Sequence, residues 1–221
     1  MLRIRRWDLL VALYIFFIAA SEFLGGKTFE LFSAGSFVLN ASVAIFAFPF
    51  IFTLNDIVIE VYGRERARSL VRTGIVIVAL IFLFSLLAIA LPPSARFAAS
   101  EAGYDAVFGR SARFALASLI AFAIAEFTDL FIFAKIRERM KGKALWLRNN
   151  VSNFSAQFID TVIFITLAFY AFDRGFADNA AFLWSIILPY WLVKCAMSVV
   201  ETPFVYAGVR WLRKEPDAPQ A

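Results

Sequence analysis

The chain has no histidine, and Cys195 is its single cysteine among 221 residues. Without imidazole there is no His-based metal site and no His-dependent catalytic triad. With one thiol there is neither an intrachain disulfide nor a multi-cysteine metal centre. A phosphate-binding P-loop and a G-x-S-x-G nucleophile elbow are missing as well. An enzyme is therefore not expected, nor is a metal or other cofactor, and any ATP coupling would need another chain. Proton chemistry is left to carboxylates, Lys and Tyr.

What is present is hydrophobic: 62% of residues, with 27 phenylalanines. That share lies far outside the range of a soluble domain, and several apolar runs reach the roughly 18 residues needed to cross a bilayer. The sequence predicts an all-α integral membrane protein, a single bundle over 1–214 with a disordered tail at 215–221. Six helices are expected at about 7–24, 34–57, 74–91, 114–134, 151–172 and 181–209, broken at Gly- and Pro-containing junctions. The stretch from Pro92 to Arg113 reads either as a connector or as a short interfacial helix.

Sixteen of the 22 basic residues fall on one side of these spans and five on the other, with Lys194 inside the last. The positive-inside rule then puts both termini in the cytoplasm. Membrane edges account for the basic residues, so no nucleic-acid partner is implied. Arg3, Arg5 and Arg6 before an apolar run also fit a signal peptide. Cleavage would upset the charge balance of the remaining helices, so a retained first helix is the reading adopted.

Acids inside the apolar runs carry the functional signal, because a charge in hydrocarbon costs about 2.5–3.5 kcal/mol even on lenient scales. Asp56 and Glu60 share a helix face at i, i+4. Asp56 lies roughly 12 Å along the helix from Arg64, deep enough to face a cavity, whereas Glu60 is better explained by an interfacial pair with Arg64 than by a substrate role. Pro49 predicts a bend in that helix, flanked by Phe50 and Phe52 as candidates for stacking on a flat ligand. Glu126 and Asp129 form a second pair at i, i+3. A desolvated carboxylate titrates closer to neutral pH, which makes Asp56, Asp129 and Glu126 candidates for proton coupling. Asn153, Gln157 and Asp160 make the cleanest polar stripe, at i, i+4, i+7, and read as a cavity wall. Lys194 is expected to neutralise one of these acids. Glu22, near the outer end of the first helix, reads as interfacial. Trp184, Tyr190 and Trp191 are further candidates for ring stacking. Carboxylates and amides beside aromatic faces suit a flat, nitrogen-rich heterocycle with N–H donors, so the expected partners are a small molecule of that kind and membrane lipid.

Two blocks carry a resemblance. The pattern F-P-F-x-F-x-x-x-D-x-x-x-E-x-Y-G-x-x-x-A-R from Phe48 to Arg68, and the run from Arg148 to Phe164, resemble the queuosine precursor transporter family, grouped with vitamin uptake transporters. Helix 6 around Tyr190, Lys194 and Pro203 is similar too. The resemblance implies a six-helix importer of 7-deazaguanines such as preQ0 and preQ1, facilitative or proton-coupled. Asp56, Glu60, Asp129, Asn153, Gln157, Asp160 and Lys194 would be its site residues. It also suggests kinship with the substrate-binding components of energy-coupling-factor transporters. A capture subunit working with a separate coupling module is the alternative, and a homodimer is compatible with either.

Overall fold

The computed structural model describes residues 4–35, 37–139, 145–200 and 202–214; for 37, 64, 126–127, 129–139, 145–153, 197–200 and 202 the description is of the backbone alone. The elements run α1 (Arg6–Leu24), β1 (Thr28–Ala34), β2 (Phe37–Ser42), a 3-10 turn at Val43–Phe46, α2 (Phe48–Tyr62) and α3 (Arg64–Ala90). They continue through a 3-10 turn at Ala98–Ser100 to α4 (Glu101–Arg139), α5 (Leu145–Phe169), α6 (Phe176–Val200) and α7 (Thr202–Leu212). Among the described residues five stretches are long and apolar enough to cross a membrane: Arg6–Leu24, Val43–Tyr62, Glu65–Ala90, Ala98–Ala125 and Phe176–Ala196. The stretch Phe154–Phe169 of α5 is also apolar. Phe16, Leu83, Phe84 and Phe204 stand exposed on these helices, as lipid-facing side chains should.

Several elements differ from expectation. The largest departure from an all-α chain is the hairpin β1–β2, which takes up the first third of the expected helix 34–57. Its strands carry three Phe with one Val and one Thr, residues that favour a pleated surface. Gly35 provides the positive φ of the turn, at 61°. Pro49 stands in the first turn of α2, where its missing N–H breaks no helical bond, so the expected bend becomes a helix start. The basic run after Gly63 is not a loop. A single residue at φ 82° separates α2 from α3, because Arg, Glu, Ala and Leu are all good helix formers. By the same logic α4 begins at Glu101, well before the expected 114. The final helix is two, α6 and α7, with Pro203 in the first turn of α7.

The chain divides into two compact units, one of residues up to 29, 42–115 and 196 onward, the other of 30–41 and 116–195. In the first, α1 buries Leu10, Tyr14 and Ile18, spaced by four so that they share one face. That face meets α3 at Gly74, where an added Cβ would lie 2.8 Å from Ile18 Cδ1. Ser42, wholly buried, ties the end of the hairpin to α1: its hydroxyl donates to the Gly25 carbonyl and accepts from the Ala44 N–H at 3.1 Å. The basic end is pinned by Trp7, which meets Tyr62 edge-on at 4.8 Å and lies under the Arg66 guanidinium, also at 4.8 Å. Arg6 there donates to the Trp211 carbonyl at 2.8 Å.

α7 approaches α2 closely because Gly208 carries no side chain. A Cβ there would collide with Ile57 Cδ1 and lie 2.8 Å from its Cγ1. Ile57 is buried and has little room to yield. Gly208→Val is therefore expected to lower stability by about 1–3 kcal/mol, read as an earlier thermal unfolding midpoint of the purified protein in detergent. An unchanged midpoint would mean that α7 does not dock on α2.

Candidate functional site

In the second unit α5 and α6 are joined by a short loop that Asn179 organises. This side chain is 2% exposed and accepts the Ala171 N–H at 2.9 Å. Its amide nitrogen donates to the carbonyls of Ala171, Arg174 and Gly175 at 2.8, 3.1 and 3.2 Å. The turn is thus set by one residue rather than by the loop sequence. Asn40 of β2 adds a bond to the Ser185 hydroxyl of α6 at 2.7 Å.

The fixed turn brings α6 alongside α5, and there Lys194 meets Asp160. The ammonium Nζ lies 2.7 Å from Asp160 Oδ2 and 3.1 Å from Thr161 Oγ1. Thr161 passes its own proton to the Gln157 carbonyl at 2.8 Å, so its oxygen is turned to accept from Lys194. Exposure is unequal: Lys194 retains 9% of its side-chain surface and Asp160 retains 29%. The pair is held from its cationic side, while the carboxylate keeps an open edge. A carboxylate has about four lone-pair sites, so Asp160 can hold Lys194 and still accept from a ligand. Elsewhere between α5 and α6, Phe158 stacks on Trp184 with ring centres 6.4 Å apart and meets Trp191 edge-on at 5.4 Å. An open carboxylate edge can bind a flat ring that carries N–H donors.

The structure thus brings Gln157, Asp160 and Lys194 together on one seam. Thr161, 1% exposed, is a member that the polar stripe missed. Its signal was the i, i+4 step from Gln157, easily passed over because a threonine hydroxyl in a helix usually satisfies itself on the preceding turn. Asp129, Glu126 and Asn153 lie outside the residues whose side chains are described. Asp56, Glu60, Phe50 and Phe52 belong to the first unit. Asp56 is half-buried there and Glu60 is exposed at the end of α2. Phe50 stacks on Phe17 of α1 with ring centres 4.5 Å apart, and Phe52 lies 6.2 Å from Phe48 on its own helix. Glu22, read as interfacial, is in fact buried at 6% exposure. Among the described residues no group of three acidic or cysteine side chains is placed to hold a metal ion.

Residues 42–208 match the family described as "Putative vitamin uptake transporter". The chain belongs to this family. The match takes in both blocks on which the resemblance rested, and with the long apolar helices it makes the protein a multi-pass transporter of the prokaryotic inner membrane, not an enzyme. A "Probable queuosine precursor transporter" of Bacillus subtilis (strain 168) is 31% identical over 188 residues, covering 84% of this chain and 77% of its own. One of the same name from Haemophilus influenzae is 26% identical over 71% of this chain and 67% of its own. The "Queuosine precursor transporter" of Escherichia coli (strain K12) is 27% identical over 59% and 56%. No solved structure matches the chain.

Proposed function

We propose that this transporter imports queuosine precursors, 7-deazaguanines such as preQ0 and preQ1, by facilitated or proton-coupled transport. The observation that carries the reading is the shared name of three relatives that align over 84%, 71% and 59% of the chain. The chemistry of the α5–α6 seam supports it. A 7-deazaguanine presents a ring N–H beside an amino group, and one carboxylate can accept both in a charge-assisted pair. Asp160 has that role here, with Lys194 keeping it oriented and the Gln157 amide within the same stripe. Asn153, one turn earlier on α5, extends the stripe. Asp56, Asp129 and Glu126 are the candidates for a coupling proton; Glu60, Phe50 and Phe52 on α2 are further candidates for substrate contact. The topology proposed is six spans with both termini in the cytoplasm.

The test is uptake by the purified chain alone in liposomes. Labelled preQ0 or preQ1 should accumulate without ATP or a partner, and excess guanine, biotin or riboflavin should compete poorly. An imposed proton gradient separates coupled from facilitated transport. Uptake only after adding an ATPase module would replace the importer with a capture subunit.

A further inference from the structure

One buried polar atom on the α5–α6 seam has no task in the fold. The indole Nε1 of Trp191 is shut off from solvent and meets no acceptor among the described residues. Indole nitrogen can only donate, and buried polar groups in native proteins nearly always have a partner. The ring itself is well held, with its edge-on contact to Phe158 at 5.4 Å and 73°. Phe158 stands two residues before Asp160 on α5, and Trp191 stands one turn before Lys194 on α6. Trp191 and Lys194, at i, i+3, share a face of α6, so an indole donor with no acceptor among the described residues lies one turn from the ammonium that holds the Asp160 carboxylate, which can only accept. The two have opposite hydrogen-bonding sense.

We infer that the Trp191 indole N–H is a specificity-determining donor, reading a carbonyl oxygen on the substrate ring while Asp160 reads the ring N–H groups. The inference rests on the substrate reading above and narrows it to rings with a lactam edge, a carbonyl next to an N–H. A ring with an exocyclic amine in place of that carbonyl, and a bare nitrogen in place of the N–H, would set donor against donor and acceptor against acceptor. Sites built to hydrogen-bond a group reject analogues that lack it far more strongly than apolar pockets reject a missing methylene. Neutral pairs of this kind are thus a means of excluding adenine-type rings.

Trp191→Phe keeps an aromatic ring against Phe158 but deletes the donor together with part of the bicyclic ring. Two quantities decide the matter. The first is the thermal midpoint of the ligand-free protein in detergent, which should show a single transition, lowered only by the packing that the smaller ring gives up. The second is calorimetric affinity for preQ0 and for its analogue without the 6-oxo group. Trp191→Phe should weaken preQ0 binding about tenfold, the effect of one lost hydrogen bond to a buried acceptor, and leave binding of the deoxo analogue unchanged. Unchanged preQ0 affinity, or an equal loss for both ligands, would overturn the inference. Failure of preQ0 to bind the unaltered protein would instead remove the substrate reading, and the inference with it.

Discussion

Asp160→Ala is expected to destabilise the protein by about 3–5 kcal/mol, the cost of breaking a buried ion pair from one side. The deletion takes the carboxylate at 2.7 Å from an ammonium that keeps only 9% of its surface. Lys194→Met should cost less, about 2–3 kcal/mol on the same ground, because the Asp160 side chain is 29% exposed and can be hydrated when its partner is gone. The double variant should be more stable than Asp160→Ala, since replacing both charges removes the desolvation cost along with the attraction. A double-mutant cycle of unfolding midpoints in detergent isolates the pair's interaction. Additive losses would mean that Lys194 and Asp160 are not partners. The ordering has a practical consequence. Loss of transport in Asp160→Ala alone would confuse misfolding with loss of a ligand contact, and the double variant separates the two.

Asn179→Ala is expected to cost about 3 kcal/mol, because one buried side chain closes the α5–α6 turn. Its removal takes that partner from the Ala171 N–H and the Arg174 carbonyl, while the carbonyls of Ala171 and Gly175 keep backbone bonds from the N–H groups of Arg174 and Asn179 at 3.3 and 3.0 Å. Each orphaned group costs about 1–3 kcal/mol when it stays buried, and hydration at the loop surface lowers the sum. Asn179→Asp should be nearly as harmful, since it keeps the acceptor for Ala171 but loses every donor. Hydrogen exchange read by mass spectrometry should show faster exchange across 170–179 in both variants, together with a lower unfolding midpoint. Unchanged protection there would contradict the role given to Asn179. A loosened turn would also disturb the register of Lys194 on Asp160, so both variants should lose ligand-induced stabilisation.

The polar seam was legible in the sequence because charges and amides in apolar helices are rare and helical spacing puts i, i+4 and i+7 on one face. That logic placed Gln157 and Asp160 together and gave Lys194 an acid to neutralise, though it offered acids on three helices as candidates. Which acid it meets depends on how α6 is turned against α5, and that is set by the four bonds of Asn179, a residue that reads as ordinary loop polarity. The hairpin was hidden for a different reason. Phe37, Val38 and Leu39 flow into the apolar run of α2, and hydropathy does not distinguish a strand from a helix within a continuous run. The N-terminal part of α3 was masked by its own charges: Arg64 to Arg72 read as a membrane edge, yet these residues extend the helix out of the apolar layer. Pro49 and Pro203 illustrate a shared ambiguity, since proline bends a helix from within and starts one from its first turn. The burial of Glu22 depended on tertiary contacts that no local pattern encodes.

The central claim is that the Asp160–Lys194 seam binds the transported heterocycle. Thermal stabilisation of the purified protein by preQ0 and preQ1 tests it most directly, comparing the unaltered chain with the Asp160→Ala/Lys194→Met double variant. The account predicts a clear upward shift of the midpoint with ligand for the unaltered protein, and none for a double variant that remains folded. Equal stabilisation of both proteins would contradict it.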